Sequence, residues 1–303
     1  MTIRFDDRVA IVTGAGAGLG RSHAMLLASR GAKVVVNDPG GAVDGSGGEH
    51  SAADKVVAEI KAAGGTAVAS YDSVAEAKSA QNIIDIAMKS FGRLDILVNN
   101  AGILRDKAFN NMSLEDFEFT SQVHYMGTVY CTKAAWPIMR KAGYGRIVVT
   151  TSGSGTVGNF GQSNYGAAKM AVVGLINVLR LEGAKYNILC NAISPSAYTR
   201  MTESLLPPHL AKYMRPEFVS PAVAWLCSEE CNATGEIIAA TAGNYARVQY
   251  FFSEGVQFDP EEPVTIEMVA EKIDKIRDMT NAKPYTGMMG NVEKNLRAMG
   301  RIK

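Results

Sequence analysis

Tyr165 and Lys169 stand four residues apart in Asn164-Tyr165-Gly166-Ala167-Ala168-Lys169, a spacing that puts both side chains on one face if the segment is helical. An ammonium beside a phenol stabilises the phenolate, so the pair predicts a tyrosine pKa drawn down toward a value useful for proton transfer near neutral pH. Ser152, 13 residues upstream at the end of an expected strand, can bring a hydroxyl to the same substrate oxygen. Taken alone, a Tyr and a Lys at this spacing are most often just an exposed helix face. Their weight comes from what surrounds them.

The apolar run Val9-Ala10-Ile11-Val12 feeds directly into Thr13-Gly14-Ala15-Gly16-Ala17-Gly18-Leu19-Gly20, and a helix-patterned stretch follows. Glycines are needed between such a strand and helix so that the backbone can turn tightly and let a pyrophosphate reach the free N–H groups at the helix start. Gly14, Gly18, Leu19 and Gly20 are therefore candidate cofactor-binding residues. The next strand ends in Asn37-Asp38, 18 residues past Gly20. A carboxylate there can accept hydrogen bonds from ribose hydroxyls and repels a 2′-phosphate, which points to NAD as the cofactor rather than NADP. Ala17 before Gly18 offers no basic clamp for such a phosphate. The competing reading of Asp38 is a turn residue, since Asp-Pro-Gly-Gly is also turn chemistry.

Short apolar runs at Val9–Val12, Lys33–Val36, Ala67–Ser70, Leu94–Val98, Arg146–Thr150 and Ile188–Ile193 alternate with helical patterns. The helical patterns cover Gly18–Ser29, Ser51–Ala63, Ala75–Phe91, Leu114–Lys141 with a possible interruption, and Ala167–Lys185. This rhythm predicts an α/β fold: a doubly wound parallel (Rossmann) sheet with a C-terminal helical extension. Residues 1–246 form the expected dehydrogenase domain and 247–303 the extension, with a helical stretch near Thr265–Asp278, which packs on the core or on a neighbouring subunit. Pro39–His50 is a glycine-rich loop longer than the usual connection, and Ser196–Arg215 is a lid candidate mixing Met201, Leu205, Leu206 and Met214 with Arg200, Lys212 and Arg215.

A formal net charge of +1 speaks against the basic footprint of a nucleic-acid binder and leaves a small-molecule substrate as the expected partner. Cys131, Cys190, Cys227 and Cys231 lack paired C-x-x-C spacing, so packed thiols are expected, without a metal. The N-terminus has no secretory pattern, no apolar run reaches a membrane-spanning length and the chain does not end in a peroxisomal address, so the expectation is a cytoplasmic protein.

With these residues in view, the chain from about Phe5 to Gly243 resembles the short-chain dehydrogenase/reductase family. Its motifs stand here as Thr13–Gly20, Asp72, Asn99-Asn100-Ala101-Gly102, Ser152, Tyr165 with Lys169, and Pro195 followed by Thr199. The resemblance implies that Tyr165 exchanges the alcohol proton, that Ser152 orients the carbonyl, and that Lys169 holds the nicotinamide ribose. It also implies that Asp72 contacts the adenine, that Asn100, Gly102 and Pro195 line the cofactor cleft, and that Thr199 touches the carboxamide. A homodimer or homotetramer is implied, with interfaces around Leu114–Lys141 and Ala167–Lys185. One position departs from the family pattern: Val123-His124-Tyr125-Met126-Gly127 puts His124 where an asparagine usually supports a proton relay. A neutral imidazole can also donate and accept, so His124 is a fourth catalytic candidate; the alternative is a buried structural histidine.

Further strings narrow the resemblance: Val35-Val36-Asn37-Asp38-Pro39-Gly40-Gly41, Asn100-Ala101-Gly102-Ile103-Leu104-Arg105-Asp106 and Gly158-Asn159-Phe160-Gly161-Gln162. They are similar to the (3R)-hydroxyacyl-CoA dehydrogenase domain of type 2 multifunctional β-oxidation enzymes, a relationship that includes 17β-hydroxysteroid dehydrogenases of the type 4 class. No hydratase or sterol-carrier region follows, so a stand-alone version in a bacterial cytoplasm is expected. The implied reaction is NAD-dependent oxidation of a (3R)-hydroxyacyl-CoA, and Arg105, Lys107, Arg200, Lys212 and Arg215 are expected at the cleft mouth for the CoA phosphates. Two alternatives stay open, a free steroid or other apolar alcohol as substrate, and a cofactor-binding scaffold without chemistry. The joint presence of Ser152, Tyr165 and Lys169 argues against the scaffold.

Overall fold

The computed structural model describes residues 2–48, 51–203, 206–284, 287, 292–293, 295–297 and 299–301, so Glu49 and His50 of the long loop and Leu205 of the lid candidate lie outside the described residues. The first half of the sheet is β1 (Val9–Thr13), α1 (Gly18–Ser29), β2 (Lys33–Asn37), α2 (Ser51–Ala62), β3 (Thr66–Ser70) and α3 (Ala77–Phe91). The second half begins with β4 (Ile96–Asn99), α4 (Leu114–Ser121) and, after one π-helical turn (Gln122–Met126), α5 (Gly127–Ala142). It continues through β5 (Gly145–Thr150), the short α6 (Gly153–Thr156), α7 (Ser163–Gly183), β6 (Ile188–Ser196), α8 (Ser220–Cys227), β7 (Ile237–Thr241) and β8 (Asn244–Val248).

The sheet order is β3-β2-β1-β4-β5-β6-β7-β8, with parallel pairing from β3 through β7. Every residue of β1, β4 and β5 is buried. A parallel sheet covered by helices on both faces has no wet side, which is why these strands read as continuous apolar runs instead of alternating ones. On one face Val12, Val34, Val98 and Val148 pack in a cluster with Leu27, Val56, Ile60 and Val223 of the helices. The alternate residues Ile11, Val35, Leu97 and Ile147 are equally buried and point to the opposite face. Strand order reverses between β1 and β4, so a crevice opens there at the carboxyl ends of the strands.

Local chemistry accounts for the element ends. α3 and α5 stop at Gly92 and Gly143, both left-handed (φ 75° and 64°), and Ser113 caps α4 by accepting from the Asp116 N–H at 3.1 Å. The interruption expected within Leu114–Lys141 is the π turn, and it carries His124 to the buried side. α7 starts at Ser163, four residues before its expected start, which places Tyr165 in its first turn.

The structure corrects several boundaries. The strand expected at Leu94–Val98 pairs only over Ile96–Asn99, because Asp95 at its head is buried and accepts from the Val9 N–H (2.9 Å), Arg8 and Arg93. Two strands of this sheet were not expected. β7 is short and alanine-rich, and β8 is mostly exposed and reached through the two-residue turn Ala242-Gly243, both at positive φ, a geometry suited to an antiparallel return.

The chain divides into two compact units, Met1–Arg247 and Val248–Lys303. The second holds β9 (Phe251–Phe252) paired antiparallel with β10 (Lys283–Pro284). The single helical stretch expected at Thr265–Asp278 is two, α9 (Ile266–Glu271) and α10 (Ile273–Arg277), broken at Lys272. Among the described residues, no helix is long and apolar enough to cross a membrane.

Candidate active site

A cleft of about 670 Å³ opens at the switch point, lined by residues from the β1–α1 loop, the long loop after β2, the loop after β4, the π turn, α7 and the segment after β6. It brings together Gly14, Gly18, Leu19, Gly20, Asp38, Asn100, Gly102, His124, Ser152, Tyr165, Lys169, Pro195 and Thr199. Of the catalytic and cofactor-binding candidates read from the sequence, Asp72 alone stays out of the lining. Its carboxylate accepts from Asn82 Nδ2 (3.1 Å) and from the Ser70 hydroxyl (3.3 Å), beside the lining residues Ser73 and Val74.

At the phosphate end the glycines are required by space. A Cβ on Gly20 would lie 2.2 Å from the Gly14 carbonyl oxygen, and one on Gly14, at φ 63°, would lie 2.8 Å from Ala101 Cα. Asn100 locks this loop, its Nδ2 donating to the carbonyls of Thr13 (2.9 Å) and Gly14 (3.1 Å). Ala17 precedes α1 without a side-chain cap, and no acidic residue stands in its first turn, so the helix start keeps donors for an anion. Those features fit a dinucleotide pyrophosphate. Asp38 has both roles weighed from the sequence within reach: it accepts from Gly16 N (2.8 Å) and Gly40 N (2.7 Å), which is the turn chemistry, while facing the cleft. Each carboxylate oxygen keeps a lone pair for a ribose hydroxyl.

At the other end Tyr165 is half-buried, edge-on to His124 with ring centroids 5.0 Å apart. Lys169 is buried, donates from Nζ to the Thr150 carbonyl at 2.6 Å, and lies 5.5 Å from the Tyr165 ring centre. The sequence-based expectation of a lowered tyrosine pKa is not met in the cofactor-free protein. Burial pushes the phenol up, with the Ser152 hydroxyl working against the shift and Asp106 adding to it. Burial also lowers Lys169 to about 7, so near neutrality it is only partly charged and stabilises a phenolate poorly.

His124 is 2% exposed and held well below its ordinary pKa by burial and by the Lys169 charge, so its ring is neutral. Its Nε2 meets both the N–H (3.0 Å) and the carbonyl (2.7 Å) of Ile103, while Nδ1 is buried with no hydrogen-bond partner. A Cβ on Gly102 would lie 2.2 Å from the ring, so histidine here demands glycine there.

The substrate side is more apolar than basic. Met201, Leu206 and Met214 line it, whereas of the five basic side chains expected at the mouth only Arg200 does. Arg105 and Lys107 are instead committed to Asp116, at 3.1 and 2.9 Å, because one carboxylate in the next helix satisfies both. Sequence reasoning assigned no role to Ser154, Asn159 and Gln162, which also line the cleft. The available signal was Gln162, one turn ahead of Tyr165 at the N-cap of α7.

The family model described as short chain dehydrogenase matches residues 8–208. A short-chain type dehydrogenase/reductase of Mycobacterium tuberculosis is 52% identical over 277 residues, covering 91% of this chain and 96% of that relative. Peroxisomal multifunctional enzyme type 2 of Drosophila melanogaster is 50% identical over 283 residues, 93% of this chain and 47% of that enzyme. Its full-length structure superposes with a TM-score of 0.82 at 42% identity, over 98% of this chain and 50% of that one. A 7α-hydroxysteroid dehydrogenase bound to NADH and 7-oxoglycochenodeoxycholic acid superposes with a TM-score of 0.72 at 30% identity, over 79% of this chain and 95% of that one. The chain belongs to the short chain dehydrogenase family, and it spans about half the length of the Drosophila enzyme. A nicotinamide cofactor goes with that family and with the cleft described above.

Proposed function

We propose that this protein oxidises the hydroxyl of a (3R)-hydroxyacyl-CoA to the 3-keto thioester with NAD, the reaction implied by the resemblance of its motifs to the dehydrogenase domain of multifunctional β-oxidation enzymes. The observation that carries the reaction class is the meeting of Ser152, Tyr165 and Lys169 with the glycine loop in one cleft. A nicotinamide cofactor held by the glycine loop, Asp38 and Lys169 would supply the hydride acceptor for the carbinol carbon. Tyr165 Oη takes the hydroxyl proton, and the Ser152 hydroxyl donates to the same oxygen as it becomes a carbonyl. Lys169 holds the ribose and, once charged, favours the phenolate. His124 fixes the Ile103 backbone at the cleft wall.

A substrate comparison tests this reading: a (3R)-hydroxyacyl-CoA, its (3S) isomer, the free hydroxy acid and a 17β-hydroxysteroid, each with NAD and followed by NADH absorbance. Remote binding energy from the nucleotide should raise kcat/KM for the (3R) thioester above the others. The apolar lining and the bile-acid-bound relative favour a steroid alcohol as the second reading, and equal or better turnover of the free steroid moves the assignment there.

Asp38 sets cofactor choice in this reading. Hydrogen bonds to a charged group are worth about 1.5–3 kcal/mol, so Asp38→Ala should weaken NAD by roughly 10–100-fold and narrow its advantage over NADP. Asp38 also holds Gly16 and Gly40, so the NAD to NADP ratio of kcat/KM, and not either value alone, is the readout. A wild-type preference for NADP refutes the assignment.

A further inference from the structure

Ser152 does not stand alone on the cleft wall. Its Oγ accepts from the Ser154 N–H at 3.2 Å and lies 3.4 Å from Ser154 Oγ. The Ser154 hydroxyl donates to Gln162 Oε1 at 2.7 Å, where Asn159 Nδ2 also donates at 3.0 Å. Gln162, 7% exposed, donates from Nε2 to Asp106 Oδ2 at 2.6 Å. A carboxylate only accepts, so it fixes the direction of the whole chain. The Gln162 amide must turn its nitrogen to Asp106 and its oxygen to Ser154, and Ser154 must spend its proton on that oxygen. Ser154 therefore cannot donate its hydroxyl to Ser152, and Ser152 keeps its own proton as a donor.

We propose that Asp106, acting through Gln162 and Ser154, is a positioning residue that keeps the Ser152 hydroxyl a donor aimed at the reacting oxygen. This rests on the role given to Ser152 above. The Ser152–Ser154 contact is the longest in the chain, so its proton can turn to a substrate oxygen at small cost while the heavier groups stay in place. Asp106 is pinned from both sides, since Lys107 N donates to the Gly161 carbonyl (2.9 Å) and Asn164 Nδ2 to the Arg105 carbonyl (3.0 Å). Those bonds tie the loop after β4 to the start of α7, so the carboxylate and the amide move as one unit.

Asp106 also has a separable electrostatic effect. The charged or titratable groups acting on Tyr165 are Lys169 on its own helix, the neutral His124 from the π turn, and Asp106, whose charge raises the phenol pKa. Asp106→Asn keeps an acceptor for Gln162, whose oxygen Asn159 Nδ2 still holds toward Ser154, and removes the charge; Asp106→Leu removes both; Gln162→Met breaks the chain and leaves the charge. Oxidation needs the phenolate, so its rising pH limb should move to lower pH in both Asp106 variants and stay in place in Gln162→Met. The plateau kcat should fall roughly tenfold to a hundredfold in Asp106→Leu and Gln162→Met, the scale of a misplaced reacting group, and be kept in Asp106→Asn. NADH affinity, read by fluorescence, should not change in any of them. Wild-type kcat in Asp106→Leu and Gln162→Met overturns the positioning chain, as does a loss of kcat that travels with lost NADH binding. Wild-type activity in Ser152→Ala and Tyr165→Phe would instead remove the reading of the site on which the chain depends.

Discussion

In the Tyr165→Phe protein, oxidation of the secondary alcohol falls by about 10²–10⁴ while cofactor binding is retained. The substitution keeps the ring that meets His124 edge-on at 5.0 Å and that lies beside the Lys169 ammonium, so it removes one oxygen and little packing. What is lost is the group that takes the hydroxyl proton. The pH dependence carries the same signature. Burial holds the Tyr165 phenol above its ordinary range in the cofactor-free protein, so oxidation should rise with pH and ketone reduction should fall with it, both through the ionisation of that phenol. Steady-state rates in both directions across pH, with the variant alongside, check this. A Tyr165→Phe protein turning over at the wild-type rate overturns the mechanism.

Lys169→Met abolishes turnover for a different reason and makes the cofactor-free fold more stable, by roughly 1–4 kcal/mol on the scale of buried ion pairs replaced by apolar groups. Lys169 is 3% exposed, with Thr150 O as the acceptor of its ammonium, so its burial is a cost of function. The sign of the pH effect follows from the lowered pKa. Folded Lys169 loses its proton at about 7, whereas the unfolded side chain keeps it to about 10.4. Between those values the unfolded state binds more protons, so stability rises with pH. Thermal or urea unfolding at pH 7 and 8.5 should therefore show a gain in the wild type that Lys169→Met lacks. Bound cofactor should narrow the difference between the two proteins, because its ribose supplies the lysine with partners. Equal stability of both proteins at pH 7 refutes the argument.

Much of the site was legible in the chain because it is local. The glycine loop must follow a strand and open a helix, and Tyr165 with Lys169 are neighbours by helical spacing alone, so short-range geometry determines both. The doubly wound sheet was legible for a related reason, since strands buried on both faces leave continuous apolar runs such as Val9–Val12. β7 and β8 left no such trace: one is mostly alanine with small side chains, and the other lies exposed beyond it at the sheet edge.

Tertiary structure decided the properties that depend on distant partners. Whether Lys169 lowers the Tyr165 pKa depends on how dry the site is, and burial both raises the phenol and lowers the lysine to about 7. Arg105 and Lys107 looked like candidates for CoA phosphates until Asp116 was found between them. Asp72 turned to Asn82, and His124 was aimed at Ile103 by a π turn that no spacing rule announces. The chain from Asp106 to Ser152 joins two loops whose approach exists only after the sheet has formed, because hydrogen bonds need atoms within about 3 Å and sequence order does not specify that distance.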